Sequence, residues 1–107
     1  MSMTWHYWYH MWTTGTYTVS VDIPLDWTKN YLVTGYLTQT DGDDYAHVYI
    51  STVCHYSGGD VVSCGVRDIG DDKSLNVVEP INNANKVTIT LKTKGGRHRA
   101  EGIVYQV

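Results

Sequence analysis

Side chains that change character at every residue leave this chain little choice of fold. Tyr17, Val19, Val21 and Ile23 alternate with Thr16, Thr18, Ser20 and Asp22, and Pro24 closes the run. A strand sorts such residues onto two faces, whereas a helix with about 3.6 residues per turn would scatter them. Proline cannot donate to a ladder, so Pro24 marks the strand's end. The same pattern returns where Val87, Ile89 and Leu91 alternate with Lys86, Thr88, Thr90 and Lys92, and again at Ile103, Tyr105 and Val107. Tyr31–Thr38, Tyr45–Cys54, Val61–Ile69 and a short Leu75–Val78 alternate less cleanly, which suits strands buried on both faces or broken by bulges.

Turn chemistry separates these runs. Asp41-Gly-Asp-Asp44, Ser57-Gly-Gly-Asp60 and Lys94-Gly-Gly-Arg97 are short loops, and Asp68–Lys73 and Pro80–Asn85 are longer ones. Composition agrees. Nine Tyr, four Trp and ten Gly stand in a chain of 107 residues without Phe, and Val and Thr are abundant while Ala, Leu and Glu are scarce. β-branched and aromatic residues fit a pleated, half-buried surface. The expected fold is all-β: one domain over residues 1–107, an antiparallel β-sandwich of about six to eight short strands. A barrel shares the same strand spacing.

The net charge of −3 gives no overall attraction to nucleic acid, and no stretch of about 20 apolar residues is present to insert in a membrane. Acidic residues gather at Asp41–Asp44 and Asp68–Asp72 and basic ones between Lys86 and Arg99, as solvated loops and strand edges do. The first residues lack the basic and aliphatic regions of a secretory signal.

Trp5-His-Tyr-Trp-Tyr-His-Met-Trp12 breaks the half-buried pattern. Strict alternation puts His6, Trp8, His10 and Trp12 on one side and Trp5, Tyr7, Tyr9 and Met11 on the other. Both faces are bulky, so both need cover, from the core of a central strand or from another subunit. The expectation is an oligomer contact within residues 1–14, made by Trp5, Tyr7, Trp8, Tyr9 and Trp12.

Little in the chain points to reaction chemistry. Cys54 and Cys64 are equidistant from Gly59, so a hairpin centred there would face them for a disulfide; two buried free thiols are the alternative. His6 and His10 would lie about 13 Å apart along a strand, too far to share an ion. The Asp41–Asp44 loop matches no full calcium pattern. No nucleophile motif or phosphate loop stands out. No enzyme, metal or cofactor is expected.

The stretch from Gly15 to Leu37 runs through an alternating strand, a Pro24-containing loop and an Asn30-Tyr-Leu-Val33 strand. Together with the strand Lys86–Lys92, a Gly-rich turn and a last strand, it resembles the C-terminal domains of bacteriophage tail fibres. That resemblance implies an H-type-lectin-like β-sandwich that assembles as a homotrimer at the fibre tip. It implies a virion protein, assembled in the host cytoplasm, that binds a bacterial surface polysaccharide or outer-membrane protein without inserting in the membrane. Because a sandwich carries its loops at its ends, Asp43, Asp44, Tyr45, His55, Tyr56, Asp60 and Asp71 are the receptor-binding candidates, expected together at one end. The alternative is a carbohydrate-binding module of a secreted enzyme. Trp5, Trp8, Trp12 or Trp27 would then stack on sugar rings.

Overall fold

The structure, a computed structural model, describes residues 3–14, 17–41, 49–68, 74–93 and 97–107. They form β1 (Thr4–Thr14), β2 (Tyr17–Pro24), β3 (Asn30–Asp41), β4 (Tyr49–His55), β5 (Val61–Asp68), β6 (Ser74–Asn82), β7 (Lys86–Thr93) and β8 (Arg97–Gln106). Two four-stranded antiparallel sheets run in the orders β1-β8-β3-β6 and β2-β7-β4-β5. Consecutive strands mostly switch sheets, the double Greek-key connectivity of a jelly roll. The expected all-β sandwich is the observed one.

The two cleanest alternating runs are neighbours. β2 pairs with β7 as Val19↔Leu91, Val21↔Ile89 and Ile23↔Val87, so their apolar residues share one face. That face meets Tyr9, Met11, Tyr31, Val33, Ile81, Ala100 and Val104 of the other sheet in a single buried core. The weaker runs are weak for local reasons. β5 is an edge strand whose register slips between Thr52 and Val53 of β4, and β3 carries a slip between Gln39 and Asp41.

Tyr9 shows how the core selects small partners. Its ring lies 2% exposed over Gly102 of β8 and Gly35 of β3. A Cβ on Gly35 would meet the Tyr9 hydroxyl, and one on Gly102 would meet the carbonyl oxygen of Thr34. Only glycine leaves the ring this room. The Tyr9 hydroxyl donates to that Thr34 oxygen at 3.0 Å, and burial pushes its pKa well above the usual phenol value.

This packing turns the last strand over relative to its sequence pattern. Val104, Ala100 and His98 are buried, whereas Ile103 and Tyr105 lie on the outer side and are half-buried. Ala100 and Gly102 are small because Met11 and Tyr9 stand beside them. Of the residues expected at an oligomer contact, Tyr9 belongs to this chain's own core and Tyr7 packs against it. β1 is an edge strand of its sheet rather than a central one.

The hairpin between β4 and β5 also departs from expectation. Its register, His55↔Val61 and Cys54↔Val62, centres on Gly58 instead of Gly59. Gly58 and Gly59 supply the positive φ values of 90° and 94° that the turn needs. Cys54 therefore faces Val62, and Cys64 is the extra residue of the β5 bulge. Cys54 is nevertheless disulfide-bonded, and Cys64 is the chain's only other cysteine.

Candidate binding face

The outer face of the β1-β8-β3-β6 sheet gathers three exposed tryptophans, Trp5, Trp8 and Trp12. Tyr9 and Met11 turn inward, so Trp8, His10 and Trp12 turn outward. Strict alternation would send Trp5 inward with Tyr7, but a bulge between Trp5 and Tyr7 inserts His6 as an extra residue. Trp5 then stands opposite Tyr105, one step past the buried Val104, and joins the outer face. His6 turns instead toward β2, where its Nε2 donates to the Pro24 carbonyl at 2.8 Å and its ring lies 4.9 Å from that of Tyr31.

Trp5, Trp8 and Trp12 are 60%, 53% and 47% exposed. The Trp8 and His10 rings lie parallel within 2°, with centroids 5.7 Å apart. Beside this row, β8 places Glu101 opposite His10 and Arg99 opposite Trp12, and β3 places Tyr36 opposite Glu101. The Tyr36 hydroxyl donates to Glu101 Oε1. Arg99 Nη2 donates to the Tyr36 oxygen at 3.4 Å, lies 3.8 Å from Glu101 Oε1, and the guanidinium sits 5.9 Å from the Tyr36 ring centroid. The hydrogen bond to Glu101 holds the Tyr36 phenol above its usual pKa, with Arg99 opposing the shift. Exposed Val78 and Pro80 extend the face over β6.

This arrangement offers flat apolar rings next to a carboxylate, a guanidinium, a phenol and an imidazole. Such a surface matches ligands that are apolar on their faces and hydroxylated at their rims. It is open rather than a pocket, so it suits a long ligand laid across it.

The outer face of the other sheet has a different chemistry. Thr88 Oγ1 donates to Asp22 Oδ1 at 2.6 Å, which obliges His55 Nε2, 2.9 Å away, to donate to Thr88. Lys86 lies 4.0 Å from Asp22, and Ser20 and Thr90 hydroxyls meet at 2.8 Å. The proton order runs from His55 through Thr88 to Asp22. A histidine base activating a threonine would need the reverse order.

A third group sits at the end of the sandwich where the Leu25 N–H donates to the Asn85 carbonyl, the Asn85 N–H to that of His55, and the Val107 N–H to that of Asn30. Trp27 is 58% exposed there, beside an Asp26 carboxylate that accepts from the Thr28 backbone N–H at 3.0 Å and from its hydroxyl at 2.6 Å. The Thr28 bonds, hydroxyl first, lower the Asp26 pKa. Tyr56 is half-buried, Asp60 is exposed, and Asn85 Nδ2 donates to Ser57 Oγ at 3.1 Å.

Of the receptor candidates, Asp43, Asp44, Tyr45 and Asp71 lie outside the described residues. His55, Tyr56 and Asp60 lie at the opposite end of the sandwich from the described residues Asp41, Tyr49, Asp68 and Ser74. β3 ends at Asp41 and β4 begins at Tyr49 on one side, and β4 runs its whole length before reaching His55 on the other. Asp68 and Ser74 share the side of Asp41, away from Asp60. Tyr36, Arg99 and Glu101 are not among the site candidates the sequence offers, and His10 is placed on this side by parity alone. The signal was the outer parity of the last strand, which continues back from Tyr105 and Ile103 through Glu101 to Arg99.

The chain matches no protein-family model, and no curated protein sequence matches it. Solved structures do. The chain is similar to the Yersinia pseudotuberculosis-derived mitogen, with TM-score 0.54 and 12% identity over 95% of this chain and 85% of that one. It is similar to the Drosophila NLP core, whose structure addresses pentamer formation and histone binding, with TM-score 0.53 and 15% identity over 92% and 97% of the two chains. It is also similar to the CBM22-1 xylan-binding domain from Paenibacillus barcinonensis Xyn10C, with TM-score 0.52 and 13% identity over 91% and 69%. The shared feature is the fold. At these identities the likeness carries the sandwich architecture and leaves ligand and assembly open.

Proposed function

We propose that this chain is a non-enzymatic adhesive module that binds polysaccharide on the aromatic outer face of β1, β8 and β3. One observation carries the reading: Trp5, Trp8 and Trp12 stand about half exposed or more on a single face, beside Tyr36, Glu101 and Arg99. A solitary exposed ring needs no explanation, but a row of three next to paired polar groups does. Sugar rings stack on indoles, while Glu101, Arg99 and His10 supply acceptors and donors for hydroxyls. A xylan-binding domain of the same fold agrees with this reading. The disulfide at Cys54 suits a protein working outside a reducing cytosol, which favours a module of a secreted protein.

The tip of a phage tail fibre is the second setting. Its supporting observation is the same strand: exposed Trp5, Trp8 and Trp12 on an edge would serve as contacts in a homotrimer, leaving the loops for a bacterial surface polysaccharide or outer-membrane protein.

Affinity electrophoresis through gels containing xylan or bacterial O-chain polysaccharide tests the proposal. The unaltered chain should be retarded in at least one gel. Trp8→Ala and Trp12→Ala should each weaken retention roughly tenfold, the scale of a buried aromatic anchor. Retardation that survives both substitutions together would refute the face as the binding site.

A further inference from the structure

A sheet edge exposes unpaired backbone groups, and proteins guard such edges with charge, proline or bulges. The four edges of this sandwich differ in that respect. β2 carries Asp22 and ends in Pro24, β6 carries Glu79 and Pro80, and β5 is bulged and carries Arg67 and Asp68. β1, reading TWHYWYHMWTT, has no proline and no Asp, Glu, Lys or Arg in its 11 residues. Its one bulge lies between Trp5 and Tyr7, and from Tyr7 to Thr14 it pairs with β8 without a slip. Among the described residues β8 is the only strand it pairs with, so its far side is an open, regular edge.

We infer that β1 is a docking edge for β1 of a second copy of this chain, paired antiparallel about a two-fold axis through His10. The register follows from the residues. Faces match only if outward residues oppose outward residues, and only Tyr7–Thr14 is free of the bulge. A two-fold through His10 or through Met11 keeps the pairing inside that stretch, and the choice of His10 rests on the aromatic pairs it makes. It sets Trp8 opposite Trp12 of the second copy, twice, with the two His10 side chains between them. On the inner side Tyr9 opposes Met11, so the apolar layer runs on across the axis. Cross-strand aromatic pairs are the strong units of sheet pairing, and a two-fold supplies each of them twice. Two four-stranded sheets become one of eight, and the tryptophan strip becomes continuous over both copies. The edge pairs through backbone and leaves the outer face open, so this assembly stands independently of the polysaccharide reading.

Sedimentation of the intact chain across a concentration series tests the inference, with circular dichroism confirming that each variant folds. A monomer–dimer equilibrium is expected. His10→Lys, which places two ammonium groups opposite each other at an exposed position, should weaken dimerisation roughly tenfold. Trp8→Glu combined with Trp12→Lys places opposite charges across the axis only in this register, and it should dimerise more tightly than either single variant. A monomer at every concentration, a trimer, a dimer indifferent to His10→Lys, or a double variant no tighter than its parents would each overturn the assignment.

Discussion

On β2 and β7 the outward residues include Thr18, Ser20, Asp22, Thr88 and Thr90; on β1 and β8 they are Trp5, Trp8, His10, Trp12, Arg99, Glu101, Ile103 and Tyr105. Both sets arise from the same period of two, and both strand pairs bury an apolar inner face. The hydroxyl face satisfies itself: Ser20 meets Thr90, Thr88 donates to Asp22, and His55 donates to Thr88. It needs only water as a neighbour. The aromatic face keeps Trp5, Trp8 and Trp12 about half exposed or more, at a cost in hydration that folding alone does not repay. The difference teaches that alternation fixes which side of a sheet a residue occupies, while the residue types on the outer side record what that side meets.

Substitutions on the two faces of β1 should sharpen this contrast most. Tyr9→Ala removes a buried ring and should cost about 3–5 kcal/mol of stability by denaturant titration, whereas Trp8→Ala should cost well under half of that. Equal losses would mean that Trp8 holds the fold rather than a ligand. Binding should show the reverse order. Trp8→Ala with Trp12→Ala should reduce polysaccharide affinity by about 2–3 kcal/mol, and Ser20→Ala with Thr90→Ala should leave it unchanged in calorimetric titration.

Smaller effects probe the polar networks. Thr88→Val removes the hydroxyl between His55 and Asp22 and should lower stability by about 1 kcal/mol, read as a modest drop in melting temperature, without altering polysaccharide binding. Alkaline titration addresses the phenols. Tyr9, by burial, and Tyr36, by its bond to Glu101, both have raised pKa values in the folded chain. Their contribution is therefore complete below the ordinary phenol value of about 10 and is lost as pH rises beyond it. Melting temperature should fall above that pH, and Tyr9→Phe should flatten most of the fall.

The sandwich was legible because β2 and β7 alternate without a fault, and Val19, Val21, Ile23, Val87, Ile89 and Leu91 pair as their parity implies. The candidate face was legible only in part. Trp8 and Trp12 follow the period, but Trp5 reaches their side through a bulge that no local residue announces. The apolar parity of Ile103 and Tyr105 pointed the wrong way, because the inward positions were reserved for small residues beneath Tyr9 and Met11. That is a tertiary demand of β1 on β8, strands separated by most of the chain. The hairpin centre differs by one residue because the turn closes through Tyr56 and Asp60 around Gly58, which sets Cys54 against Val62; the extra Cys64 enters the ladder only beyond that pair.

The four indole N–H groups offer the most direct measurement. In a nitrogen–proton correlation spectrum recorded during titration with xylan-derived and O-chain oligosaccharides, the signals of Trp5, Trp8 and Trp12 should shift together while that of Trp27, on the β2–β3 loop, stays in place. Shifts confined to Trp27 and to residues 56–60, or to Thr88 and Thr90, would contradict the assignment of binding to the aromatic face.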